Sequence, residues 1–263
     1  MTVRNPERLP FLALLLAAAG ALLFGLPLVG LLARAPWTHL PDELLAPDVL
    51  VAMRLSLVCS LSATLLSLVL GLPLAWVQAR LVFPGRTLLR GLTLLPIVLP
   101  PVVGGVALLA AFGRRGLLGQ WLDVVGVRLP FTTPGAVLAE AFVAMPFFVL
   151  TVEGALRSVD HRLEDAARTL GADAWRVFWS VTLPLVRPSL LAGAVLAWAR
   201  ALGEYGATIT FAGNFPGRTQ TLPLAVYVLL ESRPDAGLAL SLVLVGVSLA
   251  VLVALRARWV RAL

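Results

Sequence analysis

Four stretches of this chain, residues 9–33, 55–79, 91–113 and 236–255, contain no charged side chain. A helix needs about 20 mostly apolar residues to cross the hydrocarbon core of a bilayer, and each stretch reaches that length. Two further spans, residues 134–152 and 189–212, are long enough but carry Glu140 in the first and Arg200 with Glu204 in the second. The period-two alternation of a membrane-barrel strand is absent, which leaves a helical bundle as the way to satisfy the backbone in lipid. The chain is therefore expected to be an all-α membrane protein with about six transmembrane helices. Composition agrees: 59% of residues are apolar and 13% charged, against roughly 25% charged in soluble domains. A soluble fold of this size would be left with large exposed apolar patches.

All 21 basic residues are Arg and the formal net charge is +7. The arginines flank the apolar runs and form no stripe with interleaved aromatics, which points to membrane anchoring and away from nucleic acid. Six spans put both termini on one side. With the termini cytoplasmic, the inside segments carry thirteen arginines and the outside segments six, as the positive-inside rule requires. Arg4 and Arg8 precede the first apolar run, which resembles a signal peptide but is long enough to span and lacks a small-residue exit, so a retained helix is expected. The Arg114–Arg115 pair is expected to snorkel from a segment, 116–129, lying at the outer interface. The single cysteine, Cys59, has no partner for a disulfide or a metal site. His39 and His161 lie in polar segments, and no cluster for intramembrane catalysis or metal binding is present.

The apolar runs hold Gly71, Pro73, Pro96, Pro100, Pro101, Gly104, Gly105 and Pro146. Such residues are tolerated in a bundle where neighbours or a watery cavity satisfy the freed backbone groups. They suit a pathway that changes shape, and they also suit ordinary kinks.

The longest polar stretch runs from Glu153 to Arg187. Asp160 is placed to cap a helix over 161–170, with Leu163, Ala166, Ala167 and Leu170 at helical spacing. Gly171 fits a left-handed helix end, and Asp173 is placed to cap a second short helix through Trp175 and Phe178, stopped by Pro184. A helix–turn–helix knob of this shape suits a groove on a soluble partner.

Asp165-Ala166-Ala167, three residues, Gly171, nine residues, then Val181, Leu183 and Pro184 resemble the "EAA" loop of binding-protein-dependent ABC importer permeases. The acidic position before the alanines is Asp165 and not Glu, with Glu164 just upstream. The resemblance implies a type I permease bundle. It makes Glu164, Asp165, Ala166, Ala167, Gly171, Ala172 and Asp173 a coupling helix that seats in a cytoplasmic ATPase. It divides the chain into a first helix and outer loop, 1–48, and a core permease domain, 49–263, with the coupling loop at 153–188. The run from Trp198 through Gly203-Glu204-Tyr205-Gly206 to Asn214, with Pro216 to Leu224, looks like the molybdate permeases, as does the run from Leu94 to Gly119. Sulfate and thiosulfate permeases share a similar acidic-aromatic-Gly core.

Arg200 and Glu204 are four apart, so they share a helix face and can pair. Charges at bilayer depth face a bundle interior or water, so the two either line the pathway or fix packing as an internal ion pair. Thr208 and Thr210 offer hydroxyls beside them, on the pathway or bonded back to the preceding turn. Glu140 is placed to pair with Arg54 or Arg200.

Moving a doubly charged anion inward against ~100 mV costs roughly 4–5 kcal/mol before any concentration gradient. This chain, with no Lys, cannot hold a Gly-x-x-x-x-Gly-Lys-Ser/Thr phosphate loop. The resemblance places ATP and Mg on two separate ATPase subunits, leaves this chain without catalytic residues, metal or cofactor, and adds a homodimer partner and an oxyanion-binding protein. A sulfate, thiosulfate or tungstate permease is the alternative within the class. An ion-gradient transporter is the alternative outside it, and would not explain the loop.

Overall fold

The computed structural model describes residues 11–259, and among these there is helix and loop but no strand. Arg4 and Arg8 lie outside the described residues. The helices are α1 (Phe11–Arg34), α2 (Leu40–Leu44), α3 (Pro47–Arg80), α4 (Arg86–Val98), α5 (Pro101–Phe112), α6 (Gly119–Val124), α7 (Thr133–Ser158), α8 (His161–Thr169), α9 (Ala174–Val177), α10 (Leu183–Leu202), α11 (Gly206–Phe211), α12 (Leu222–Ser232) and α13 (Pro234–Trp259). Five are long and apolar enough to cross a membrane: Phe11–Arg34, Pro47–Arg80, Thr133–Ser158, Ala174–Leu202 and Pro234–Leu255.

The expected third span, 91–113, is not one helix. It divides into α4 and α5 at Leu99, whose ψ of 131° is extended. Pro100 and Pro101 remove two backbone donors in succession, and a residue before proline is pushed out of the α region. The span at 189–212 also differs. Its helix begins earlier, at Leu183, and stops at Leu202; α11 follows after a break at Gly203–Tyr205. Pro184 does not stop the preceding short helix. It falls in the first turn of α10, and α9 runs into α10 through a π-helical turn, Phe178–Thr182. Helix α12 lies in what the sequence placed in an outer segment. Its apolar run, with Pro223 in the first turn, packs as a hairpin on α13.

The bundle is centred on α3 and α7, with α10 laid across both and α11 against α5. Its core joins Ala63 and Ala75 of α3, Ala141, Ala144, Phe148, Val149, Val152 and Leu156 of α7, and Val186, Ala197 and Ala201 of α10. Lipid tails are as apolar as these side chains, so the helices associate by close van der Waals packing, which small residues permit. Most of the described residues of α1 stand free of the core, and it touches α13.

Gly105 sets how closely α5 meets α11. A Cβ there would lie 2.5 Å from Cβ of Thr210 and 2.9 Å from the Ala207 carbonyl. We expect Gly105→Ala to destabilise the protein by about 1–3 kcal/mol through overpacking. The thermal midpoint of the detergent-solubilised protein checks this, and an unchanged midpoint would show that the two helices part at no cost.

One end of the bundle carries the α8–α9 loop. At the opposite end Arg233 pairs with Asp48, and Asp123 accepts from Arg128 Nε at 2.7 Å and from Arg114 Nε at 3.2 Å. The Arg128 hydrogen bond, then that of Arg114, holds the Asp123 carboxyl below its ordinary range. The head of Arg114 thus meets a carboxylate within the segment that was expected only to let it snorkel.

Candidate functional site

Two places gather the residues singled out in the sequence. The first is the loop between α7 and α10. Asp160 accepts from the Arg162 backbone N–H at 3.0 Å and starts α8; Asp173 accepts from that of Arg176 at 2.7 Å and starts α9. Both caps satisfy helix-start donors that would otherwise need water. Between them Gly171 takes φ +86°, the left-handed conformation expected of it.

This loop turns its apolar stripe outward. Leu170 is 88% exposed and Trp175 69%, and Leu163 and Trp179 are also exposed. Trp175 and Phe178 stack beside them, and Trp179 meets both rings edge-on. Asp165, Ala166, Gly171 and Asp173 are exposed, and Ala167 and Ala172 are half-buried. Asp165 pairs with Arg168 at 3.1 Å in the open, a contact of little energetic weight. Glu164 is the exception. It is buried, and its Oε1 accepts from Arg80 Nη2 and from Thr182 Oγ1, each at 2.7 Å. Sequence reasoning missed Arg80 and Thr182. Both are far from Glu164 along the chain, and only the unusual burial of one acid on a polar helix reveals them.

The second place is the break between α10 and α11. Arg200 Nη1 donates to Glu204 Oε2 at 2.7 Å, and the Ala207 backbone N–H donates to Glu204 Oε1 at 2.8 Å. The pairing is as expected, but helix α10 ends between the two residues, so Glu204 also caps the start of α11. The Glu204 side chain is buried, while that of Arg200 is 29% exposed. The hydroxyl of Thr210 bonds back to the Gly206 carbonyl at 2.9 Å. That of Thr208 is buried without a partner. Glu140 pairs with neither Arg54 nor Arg200 among the described residues. It is buried, its Oε2 has no partner, and Arg200 is already held by Glu204. The break therefore presents a cationic head, two hydroxyls and two carboxylates inside an apolar bundle, with the arginine and Thr210 partly open.

A bundle of spanning helices of this kind is shared with known proteins. Residues 67–262 match the family described as binding-protein-dependent transport system inner membrane component. The chain belongs to this family. As a family member it is a multi-pass inner-membrane protein and a non-catalytic permease subunit. It is 46% identical over 255 residues, 96% of each chain, to the molybdenum transport system permease protein ModB of Mycobacterium bovis (strain ATCC BAA-935 / AF2122/97). It is 37% identical over 226 residues, 86% of this chain and 82% of the other, to the sulfate transport system permease protein CysT of Escherichia coli (strain K12). Its fold matches, with a TM-score of 0.72 at 19% identity, a chain in the crystal structure of a bacterial alginate ABC transporter in complex with alginate pentasaccharide-bound periplasmic protein; the match covers 92% of this chain and 91% of that one.

Proposed function

We propose that this permease carries molybdate inward across the membrane as part of an ATP-driven importer. The observation that carries the substrate is the likeness to a molybdenum permease, higher in identity and more complete in length than that to the sulfate permease. Tungstate, nearly the same ion in size and charge, is taken by the same route.

In this reading α4 and α5 together make one broken crossing, which brings the total to six and places both termini in the cytoplasm. Residues 1–48 supply the first helix and outer loop, and 49–263 the core. The chain works as a homodimer above two ATPase subunits that hold ATP and Mg, and below an oxyanion-binding protein. The loop at 153–188 docks into the ATPase. The exposed Leu163, Leu170 and Trp175 support this, because a helix that offers apolar side chains to water has a face for a partner. Glu164, Asp165, Ala166, Ala167, Gly171, Ala172 and Asp173 form its working surface and supports. Arg200, Glu204, Thr208 and Thr210 stand beside the pathway, where the half-open guanidinium attracts an anion that lipid repels.

The test is labelled molybdate uptake in cells without their own molybdate permease, expressing this chain with its ATPase and binding protein. Uptake suppressed by tungstate and untouched by sulfate is the expected result. Suppression by sulfate, or sulfate uptake in place of molybdate uptake, would overturn the substrate and keep the importer. Uptake that persists without the ATPase would overturn the importer.

A further inference from the structure

Glu164 ties the loop to two membrane helices at once. Arg80, which donates to it, is the last residue of α3, a helix of 34 residues. Thr182, which also donates to it, ends the π-helical turn that continues into α10. A second nitrogen of Arg80, Nη1, lies 2.9 Å from the His161 ring, whose Nδ1 is 3.7 Å from the other Glu164 oxygen. The Arg80 and Glu164 side chains are only 9% and 8% exposed. Around them is a cleft of about 340 Å³ lined by Trp76, Leu81, Ala174 and Phe178 as well as the clasp residues. Helix α8 is therefore not bedded on α3 by close apolar packing. Among the described residues, the hydrogen bonds that join α8 to α3 are those of Arg80.

We infer that Arg80 and Thr182 are positioning residues of the coupling step, which through Glu164 pass the movement of α8 to α3 and α10 together. The inference rests on the reading of 153–188 as the ATPase-docking loop. A charge pair shielded from water attracts more strongly than one on the surface, and its charge-assisted hydrogen bonds fix direction as well as distance. Such a joint moves as a unit, whereas a loop held over a cleft without it would shift apart from its helices. The π-turn adds a second reason, since an α-helix frequently widens in this way at functional sites. Two adjacent acids then have opposite duties: Asp165 faces out to the partner, and Glu164 faces in to the membrane helices.

The test uses the whole importer, this chain with its ATPase and binding protein in liposomes, carrying Arg80→Ala, Arg80→Lys, Glu164→Gln or Thr182→Val. We expect Arg80→Ala to retain its ATPase and to hydrolyse ATP, but to move about tenfold fewer anions per ATP, because the carboxylate it leaves unpaired seeks water and frees α8. Arg80→Lys keeps the charge and recovers most of the ratio, which a purely structural role would not require. Glu164→Gln keeps the shape and shows the same loss even if the alanine variant fails to insert. An unchanged ratio in both Arg80→Ala and Glu164→Gln would overturn the inference, and an unchanged ratio in Thr182→Val would overturn it for Thr182. So would loss of the ATPase from the purified complex, since the clasp would then only shape the docking surface. The wild-type arm tests the proposed function separately. If wild type answers the binding protein with faster ATP hydrolysis but moves no molybdate, the substrate is wrong, and the clasp is judged on that stimulation.

Discussion

Gly171→Val is expected to insert in the membrane at normal levels and to lose transport. Gly171 sits at φ +86° with nothing within 4 Å of where a Cβ would be, so the substitution meets no clash and acts on the backbone alone. A left-handed residue with a Cβ costs about 1–2 kcal/mol, and β-branching adds to this. Each ~1.4 kcal/mol lowers the ratio of native to non-native turn about tenfold, so uptake falls as the non-native turn becomes populated. Gly171→Asn, which tolerates the left-handed region, stays near wild type. Uptake by the two variants and ATPase copurification are the measurements. Normal uptake by the valine variant would show that the turn is not needed for coupling.

Glu204→Ala is expected to be the most destabilising single change at the α10–α11 break. It removes the partner of Arg200 and the acceptor of the Ala207 N–H. Leaving one member of a fully buried pair without its counter-charge costs about 3–5 kcal/mol, and the cost here lies below that because the Arg200 side chain is 29% exposed. Glu204→Gln, which keeps an acceptor for Ala207, loses less. The informative variant combines Glu204→Gln with Arg200→Ala. Removing both charges recovers most of the thermal midpoint, because the orphaned cation is gone, and the double-mutant cycle gives a coupling energy above the additive limit of about 0.5 kcal/mol. Uptake that stays low in this stable double variant places Arg200 on the anion pathway; uptake that returns with stability makes the pair a packing device. An unchanged midpoint in Glu204→Ala would mean that Arg200 finds water or another partner.

The caps and the turn of the loop were legible in the sequence because their signals are local. Asp160 and Asp173 cap the helices that follow them, and Gly171 takes the one conformation that glycine favours. The span at 91–113 was legible in composition but not in shape. Hydropathy averages over a window, whereas the break at Leu99 depends on two adjacent prolines and on neighbours that accept a kinked helix. Pro184 misled in the opposite direction, since the same residue ends one helix or opens another according to where the hydrogen-bond ladder restarts.

The membrane setting, the helical class, the end-capped loop and the pairing of Arg200 with Glu204 follow from the sequence alone, because each rests on composition or on residues within a few positions of one another. Tertiary structure decided the rest. It set which acid of the Glu164–Asp165 pair turns inward, brought Arg80 to it from 84 positions away, and left Glu140 without the arginine partners expected of it. Those outcomes depend on how α3, α7 and α10 pack, and helix periodicity sets the face a side chain occupies without setting which helix meets that face.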